Sequence, residues 1–228
     1  MATGSVKAVR LVVPAYFHPA VAPHDWAALA ALAGRVRLVV LNVADGPGEQ
    51  RDPAFTDVLA VLHRSGVDVA CYVDTDYGRR PGDAVESDLA RYRCWYPQAR
   101  AVFFDRVAAG PELVGHYAGL ARAARTAGLD AVVFNHGVHP DPGYAEHADL
   151  LGTFEGPWSA YRKLEVPGWA RRGPRHAFLH LVHSVPVRSL PAARRLVASR
   201  NVGAGYVTDL PDSGPGGPNP WRRLAAGA

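Results

Sequence analysis

The chain has 228 residues, 48% apolar and 20% charged, proportions that supply a core and exclude global disorder, a collagen-like repeat or a disulfide-built scaffold. Lys and Arg outnumber Asp and Glu by 25 to 21, yet only Lys7 and Lys163 are lysines and no dense basic block occurs, so a nucleic-acid partner is not expected. No run of about 18 apolar residues is present, which excludes a membrane-spanning helix and leaves no reason to expect a membrane partner.

The opening stretch MATGSVKAVRLVVPAYFHP is interrupted by Pro14 and lacks a small-residue cleavage site, so it reads as a first strand instead of a leader. A cytoplasmic location is the expectation, and secretion would require a leader outside this sequence. Short β-branched runs then alternate with Ala-, Leu- and Arg-rich stretches of helical period. The strands expected are Val9–Pro14, Arg35–Asn42, Val67–Asp74, Ala99–Asp105, Ala131–Asn135, Leu150–Glu155, Ala177–His183 and Ala204–Thr208. Between them, helices are expected over His24–Ala33, Pro53–Ser65, Gly82–Tyr96, Pro111–Ala127, Gly143–His147, Ser159–Lys163 and Leu190–Arg200.

Eight repeated units in this length predict a compact (β/α)8 TIM-type barrel, near the lower size limit of about 200 residues, with residues 1–228 as one domain. The Trp-, Arg-, Gly- and Pro-rich stretch 156–174 is expected as a loop over the barrel mouth, and 211–228 as an irregular tail. Cys71 and Cys94 show no metal or redox spacing and read as reduced, buried thiols.

Barrel enzymes place their chemistry at the carboxyl ends of the strands, and here every strand ends on polar residues. They are Tyr16 and His18, Asn42, Asp74 and Thr75, Asp105, Asn135, Glu155, His183, and Thr208 with Asp209. Each alone is explained by a cap or turn; eight of eight points to a site. Asp105 follows AVFF and Glu155 follows LLGTF, so each carboxylate leaves an apolar strand beside aromatic rings. Two carboxylates across a cleft are the minimal equipment for glycosidic cleavage, one as acid and the other as base or nucleophile. Ion pairs with the abundant arginines explain the same residues equally well.

Asn42, Tyr72, Thr75, Tyr77 and Asn135 are groups that suit sugar hydroxyls, and Trp158 and Trp169 could stack on a pyranose, with packing as the alternative. Trp169, in a polar stretch, is expected in the mouth loop. His136, His139 and His147 lack the first-strand His-x-His of metal-dependent hydrolase barrels, so no metal is expected. His180 and His183, three apart on a strand, face opposite sides, and His183 is the site candidate. Neither Asn42–Gly48 nor the Gly-rich tail fits a phosphate loop or dinucleotide fingerprint, and no cofactor is implied.

A set of motifs carries a resemblance: VPAYFHP from Val13, Asn42 with Asp45–Gly48, YVDTDYGRRP over Tyr72–Pro81, DLARYRCWYP over Asp88–Pro97 and VFFD over Val102–Asp105. It continues with FNHG over Phe134–Gly137, TFEGPW over Thr153–Trp158, GYVTD over Gly205–Asp209 and NP from Asn219. These resemble the spherulation-specific (spherulin four) family, related to endo-acting galactosaminidases of microbial exopolysaccharides. The resemblance implies a (β/α)8-type barrel that hydrolyses galactosamine or N-acetylgalactosamine polymers without metal or cofactor, with Asp105 and Glu155 as catalytic residues. Tyr16, His18, Asn42, Tyr72, Thr75, Tyr77, Arg106, Asn135, Trp158, His183 and Asp209 are the candidate substrate-binding residues.

The chain departs from the family pattern twice, with Arg106 where FFDE has glutamate and His136 where NPG has proline. Arg106 has two readings. If it lines the cleft it lowers the Asp105 pKa and favours acidic sugars; if it points away it bridges to a helix. A glycoside hydrolase is the expected function, and a non-catalytic carbohydrate-binding relative is the alternative. A carbohydrate is the partner implied, and the sequence carries no signal for oligomeric state.

Overall fold

The computed structural model describes residues 8–213 and 218–225. Eight apolar runs form parallel strands: β1 (Arg10–Ala15), β2 (Val36–Leu41), β3 (Val69–Asp74), β4 (Ala101–Asp105), β5 (Ala131–Asn135), β6 (Leu150–Pro157), β7 (Phe178–His183) and β8 (Ala204–Val207). Each pairs with the next, and β8 pairs with β1 to close the barrel. Strands covered on both faces are apolar along their length instead of alternating, and β7, for example, is buried throughout.

Among the described residues seven α-helices surround the barrel: α1 (Pro23–Ala31), α2 (Pro53–Arg64), α3 (Gly82–Trp95), α4 (Val114–Thr126), α5 (Trp158–Tyr161), α6 (Gly168–Arg172) and α7 (Leu190–Ser199). α2 shows why such segments are helical. Phe55, Leu59 and Leu62 form one buried stripe at helical spacing, Pro53 presets the first turn, and Asp52 caps it by accepting from the Ala54 N–H at 2.9 Å. Two expected helices differ. Pro111–Leu113 is a 3₁₀ turn leading into α4, and the segment expected over Gly143–His147 is a 3₁₀ turn, Pro142–Glu146, of the short kind that commonly serves as a connector.

The stretch 156–174 is not a loop over the mouth. Gly156 and Pro157 extend β6, and two short helices follow. Trp169 packs edge-on to Phe178, the first residue of β7 and therefore at the amino-terminal end of the barrel, 5.6 Å between ring centres. The segment thus descends the flank because Trp169 and Ala170 find apolar partners there. Among the described residues no helix follows β8. The tail instead crosses back over the barrel, with the Leu224 N–H donating to Asp25 and the Ala225 N–H to the Tyr206 hydroxyl. Cys71 is buried, whereas Cys94 is exposed, contrary to expectation, because it lies on the outer face of α3. No helix among the described residues is long and apolar enough to cross a membrane.

Asp52 also pairs with His18 Nε2 at 2.8 Å, and this pairing holds the Asp52 carboxyl below the usual carboxylate range. A depressed carboxylate contributes stability above its ordinary pKa and loses it as acid protonates the folded state. Asp52→Ala should therefore lower the unfolding free energy by about 1 kcal/mol at neutral pH, and by less in acid. Urea denaturation at two pH values checks this, and an equal loss at both would remove the carboxylate from the account.

Candidate active site

The carboxyl ends of β3, β4, β5 and β6 bring four polar side chains together. One nitrogen organises them. Asn135 Nδ2 donates to Asp105 Oδ1 at 2.7 Å and to Glu155 Oε2 at 2.5 Å. Two bonds from one atom keep the nearer carboxylate oxygens within about 5 Å of each other. The Tyr72 hydroxyl donates to the other Asp105 oxygen at 3.0 Å, and the Tyr16 ring meets Tyr72 edge-on at 5.4 Å.

Local backbone features create this meeting. A Cβ on Gly152 would lie 2.3 Å from Asn135 Oδ1, so glycine alone leaves room for the amide. The pairing of β6 with β7 skips a residue between Gly152 and Phe154. Gly152 and Glu155, three apart, would face opposite sides of a regular strand. The bulge instead returns Glu155 to the inner face beside Asn135, while Phe154 packs outward on Tyr161.

Both carboxylates are half-buried. Loss of water raises the Asp105 pKa, against the hydrogen bonds from Asn135 and Tyr72 that favour its charged form. Burial, and then the Asp105 charge, push Glu155 up to about 7, opposed by Asn135 and by an indole N–H. That indole belongs to Trp221 in the tail, whose Nε1 donates to Glu155 Oε1 at 3.0 Å. Trp221 is buried against Tyr206 and edge-on to His183. Trp221 and His183, with Tyr16, Ser184, Asp212 and Asn219, line a cleft of about 680 Å³ beside Glu155.

The remaining strand-end candidates serve other purposes. Thr75 Oγ1 is buried, 2.9 Å from the Asp105 and Arg106 carbonyls and from the Tyr117 hydroxyl, which ties the loop beneath the site. Asn42 accepts from the Gly46 N–H at 3.0 Å and shapes its own loop. His18 is taken up by Asp52, and Asp209 lies 3.8 Å from Arg223 in the tail. Trp158 packs on Tyr161 and the core, away from the cleft lining. Trp169, already placed at the opposite end, has no part in the mouth.

Arg106 turns away from Asp105, forking onto Asp74 and reaching Asp76 at 3.3 Å. A lowered Asp105 pKa required the two to approach; with Arg106 turned away, burial raises it instead. Tyr77, 47% exposed, stands beside Arg106 at the rim. His136 is held by the Ala108 carbonyl and Tyr144, with burial pushing its pKa down to about 4. Among the described residues, no three His, Cys, Asp or Glu side chains are grouped to hold a metal ion. Trp221, Asp212, Asn219 and Ser184 were not anticipated; the NP motif at Asn219 was the only pointer toward the tail.

The molecule is a (β/α)8 barrel with a half-buried carboxylate pair at its carboxyl-terminal mouth. It belongs to spherulation-specific family 4, whose sequence profile matches residues 10–226. Spherulin-4 of Physarum polycephalum is 27% identical over 216 residues, covering 90% of this chain, and the chain spans 64% of that protein's length. Among solved structures, Sph3 of Aspergillus clavatus, determined in complex with GalNAc, superposes with a TM-score of 0.81 at 23% identity over 96% of this chain and 93% of its own. The spore cortex-lytic enzyme SleL of Bacillus cereus matches at 0.54 and 9% identity, over 89% and 60%.

Two outcomes follow from the raised Glu155. An acid whose folded pKa lies above its unfolded value of 4.5 costs stability as pH rises between the two, and the full cost remains above about 7. Glu155→Gln should therefore raise Tm more at pH 8 than at pH 4.5, and an equal change at both would contradict the shift. Trp221→Phe removes a donor to the ionised form, so the Glu155 midpoint should move upward in a carbon-13 NMR titration. A fixed midpoint would disconnect the indole from the carboxyl.

Proposed function

We propose that this chain is a glycoside hydrolase that cleaves an amino-sugar polymer or oligomer built of galactosamine or N-acetylgalactosamine. The observation that carries the reading is the carboxylate pair spanned by the Asn135 amide. Membership of the family and the GalNAc bound by the structurally similar Sph3 support the sugar class.

The two carboxylates suit different tasks. Glu155, held near 7, keeps its proton long enough to donate it to the glycosidic oxygen. Asp105, with three polar partners in Asn135, Tyr72 and the Arg106 backbone, is the better-stabilised anion. As the leaving oxygen takes the Glu155 proton, an Asp105 oxygen bonds to the anomeric carbon. Glu155, now ionised, then removes a proton from water, which displaces Asp105 and restores both groups. Two displacements retain the anomeric configuration, a course suited to two carboxylates close enough to share one donor. Tyr16, whose phenol is pushed up by burial and then by Asp105, stays protonated as a donor to sugar oxygens, and His183, pushed down by burial, stays neutral.

The test is incubation of the protein with N-acetylgalactosamine and galactosamine oligosaccharides, with products followed by mass spectrometry and their initial anomer by NMR. Retained products are expected, with kcat/KM falling as pH rises through about 7 while Glu155 loses its proton. Asp105→Asn and Glu155→Gln should each slow turnover at least about a hundredfold without lowering Tm. Inverted products would overturn the role given to Asp105. Tight binding without turnover would make the chain a carbohydrate-binding relative instead of an enzyme.

A further inference from the structure

The rim between β3 and β4 carries a construction that proton transfer does not use. Asp76, Tyr77 and Arg106 have φ of 46°, 55° and 49°, a left-handed conformation uncommon for residues with side chains. Several bonds fix them. The Tyr77 N–H donates to the Arg106 carbonyl at 2.7 Å, and Thr75 Oγ1 lies 2.9 Å from the same oxygen. Arg106 forks onto Asp74 and reaches Asp76, while Arg79 pairs with Asp76 at 2.8 Å. Both guanidinium groups lie against one ring, 5.5 Å and 5.8 Å from the Tyr77 centroid. Strained non-glycine residues persist where their surroundings over-determine them, and they concentrate at ligand clamps.

Position and charge indicate what is clamped. In the closed strand order, β3 and β4 lie across the barrel from β7 and β8. Tyr77 and the cleft beside Trp221 and His183 therefore flank the carboxylate pair on opposite sides. A polymer crossing the pair would meet both. The two arginines are matched by Asp74 and Asp76, so the rim offers an exposed aromatic ring instead of a net charge.

We propose that Tyr77 is a platform for a sugar unit distant from the cleaved bond, and that Arg106 is a positioning residue that holds the ring. This rests on the glycoside hydrolase reading and adds a second point of grip on the chain. An aromatic face takes the C–H face of a pyranose by apolar contact. Because the charge of Arg106 is already met, the rim prefers neutral units and Arg106 does not recruit acidic sugars.

Calorimetry on the full chain carrying Glu155→Gln, which slows turnover, tests this with N-acetylgalactosamine oligosaccharides of increasing length. Adding Tyr77→Ala should weaken binding of long oligosaccharides roughly five- to tenfold, with a much smaller effect on the shortest, which do not reach the rim. Tyr77→Phe, which keeps the ring, should restore affinity. Arg106→Gln should reproduce the length-dependent loss, and Arg106→Lys should not rescue it, because an ammonium cannot make the fork to Asp74. The preference for neutral over uronate-containing oligosaccharides should survive Arg106→Gln. Affinity unchanged at every length, or lowered equally at every length, would overturn the platform. If the parent chain binds none of these sugars, the glycoside reading fails and the platform with it; if it binds them and only the length dependence is missing, the platform alone fails.

Discussion

A single amide nitrogen bonded to two carboxylates is the constraint on which the mouth of this barrel depends. Like charges a few ångströms apart repel, and a half-buried setting gives them little water for relief. Asn135 offsets this by offering one hydrogen to each, and it can do so only because Gly152 has no side chain and the β6 bulge turns Glu155 inward. Tyr72 and Trp221 then occupy the outward oxygens, one on each carboxylate. The pair is thus divided by its partners, and on the proposed function the division separates an acid from a nucleophile.

The barrel is asymmetric around this centre. On the side of β3 and β4 the loops are locked by ion pairs, as in the Arg80–Asp88 bridge at 2.5 Å, which joins the loop after β3 to α3. On the side of β7 and β8 the wall is made by a tail whose described residues form no helix or strand and are held by a few backbone hydrogen bonds. The tail occupies the place in the chain where an eighth helix would follow β8. Its turns suit its composition: Asn219 accepts from the Trp221 N–H two residues on, an Asx turn that aims the indole at Glu155.

The fold was legible because parallel strands covered on both faces leave continuous apolar runs, and all eight were found within two residues at most ends. Asp105, Glu155, Tyr72, Asn135, Tyr16 and His183 were legible for a related reason, since each sits on a strand or within a residue of its end and so inherits the strand's direction. Thr75, Asn42 and His18 occupy equivalent sequence positions but follow loop backbone, whose course short polar residues themselves determine by bonding to it. Of the two readings of Arg106, the structure shows the one that turns away from Asp105, with Asp74 and Asp76 as its partners. Trp221 was hidden because a Pro- and Gly-rich tail has no periodicity from which a direction can be read, and Trp169 misled because its apolar partners lie at the far end of the barrel.

The dependence of Glu155 on Trp221 has a consequence for how the molecule matures. Ribosomal synthesis delivers the chain from its amino end, so strands β1 to β8 and both carboxylates are available before the indole emerges. A nascent barrel can close, by pairing β8 with β1, while Glu155 still lacks one of its two hydrogen-bond donors. Closure of the scaffold and completion of the hydrogen bonding around Glu155 are therefore made by different parts of the chain, the first by β8 and the second by Trp221.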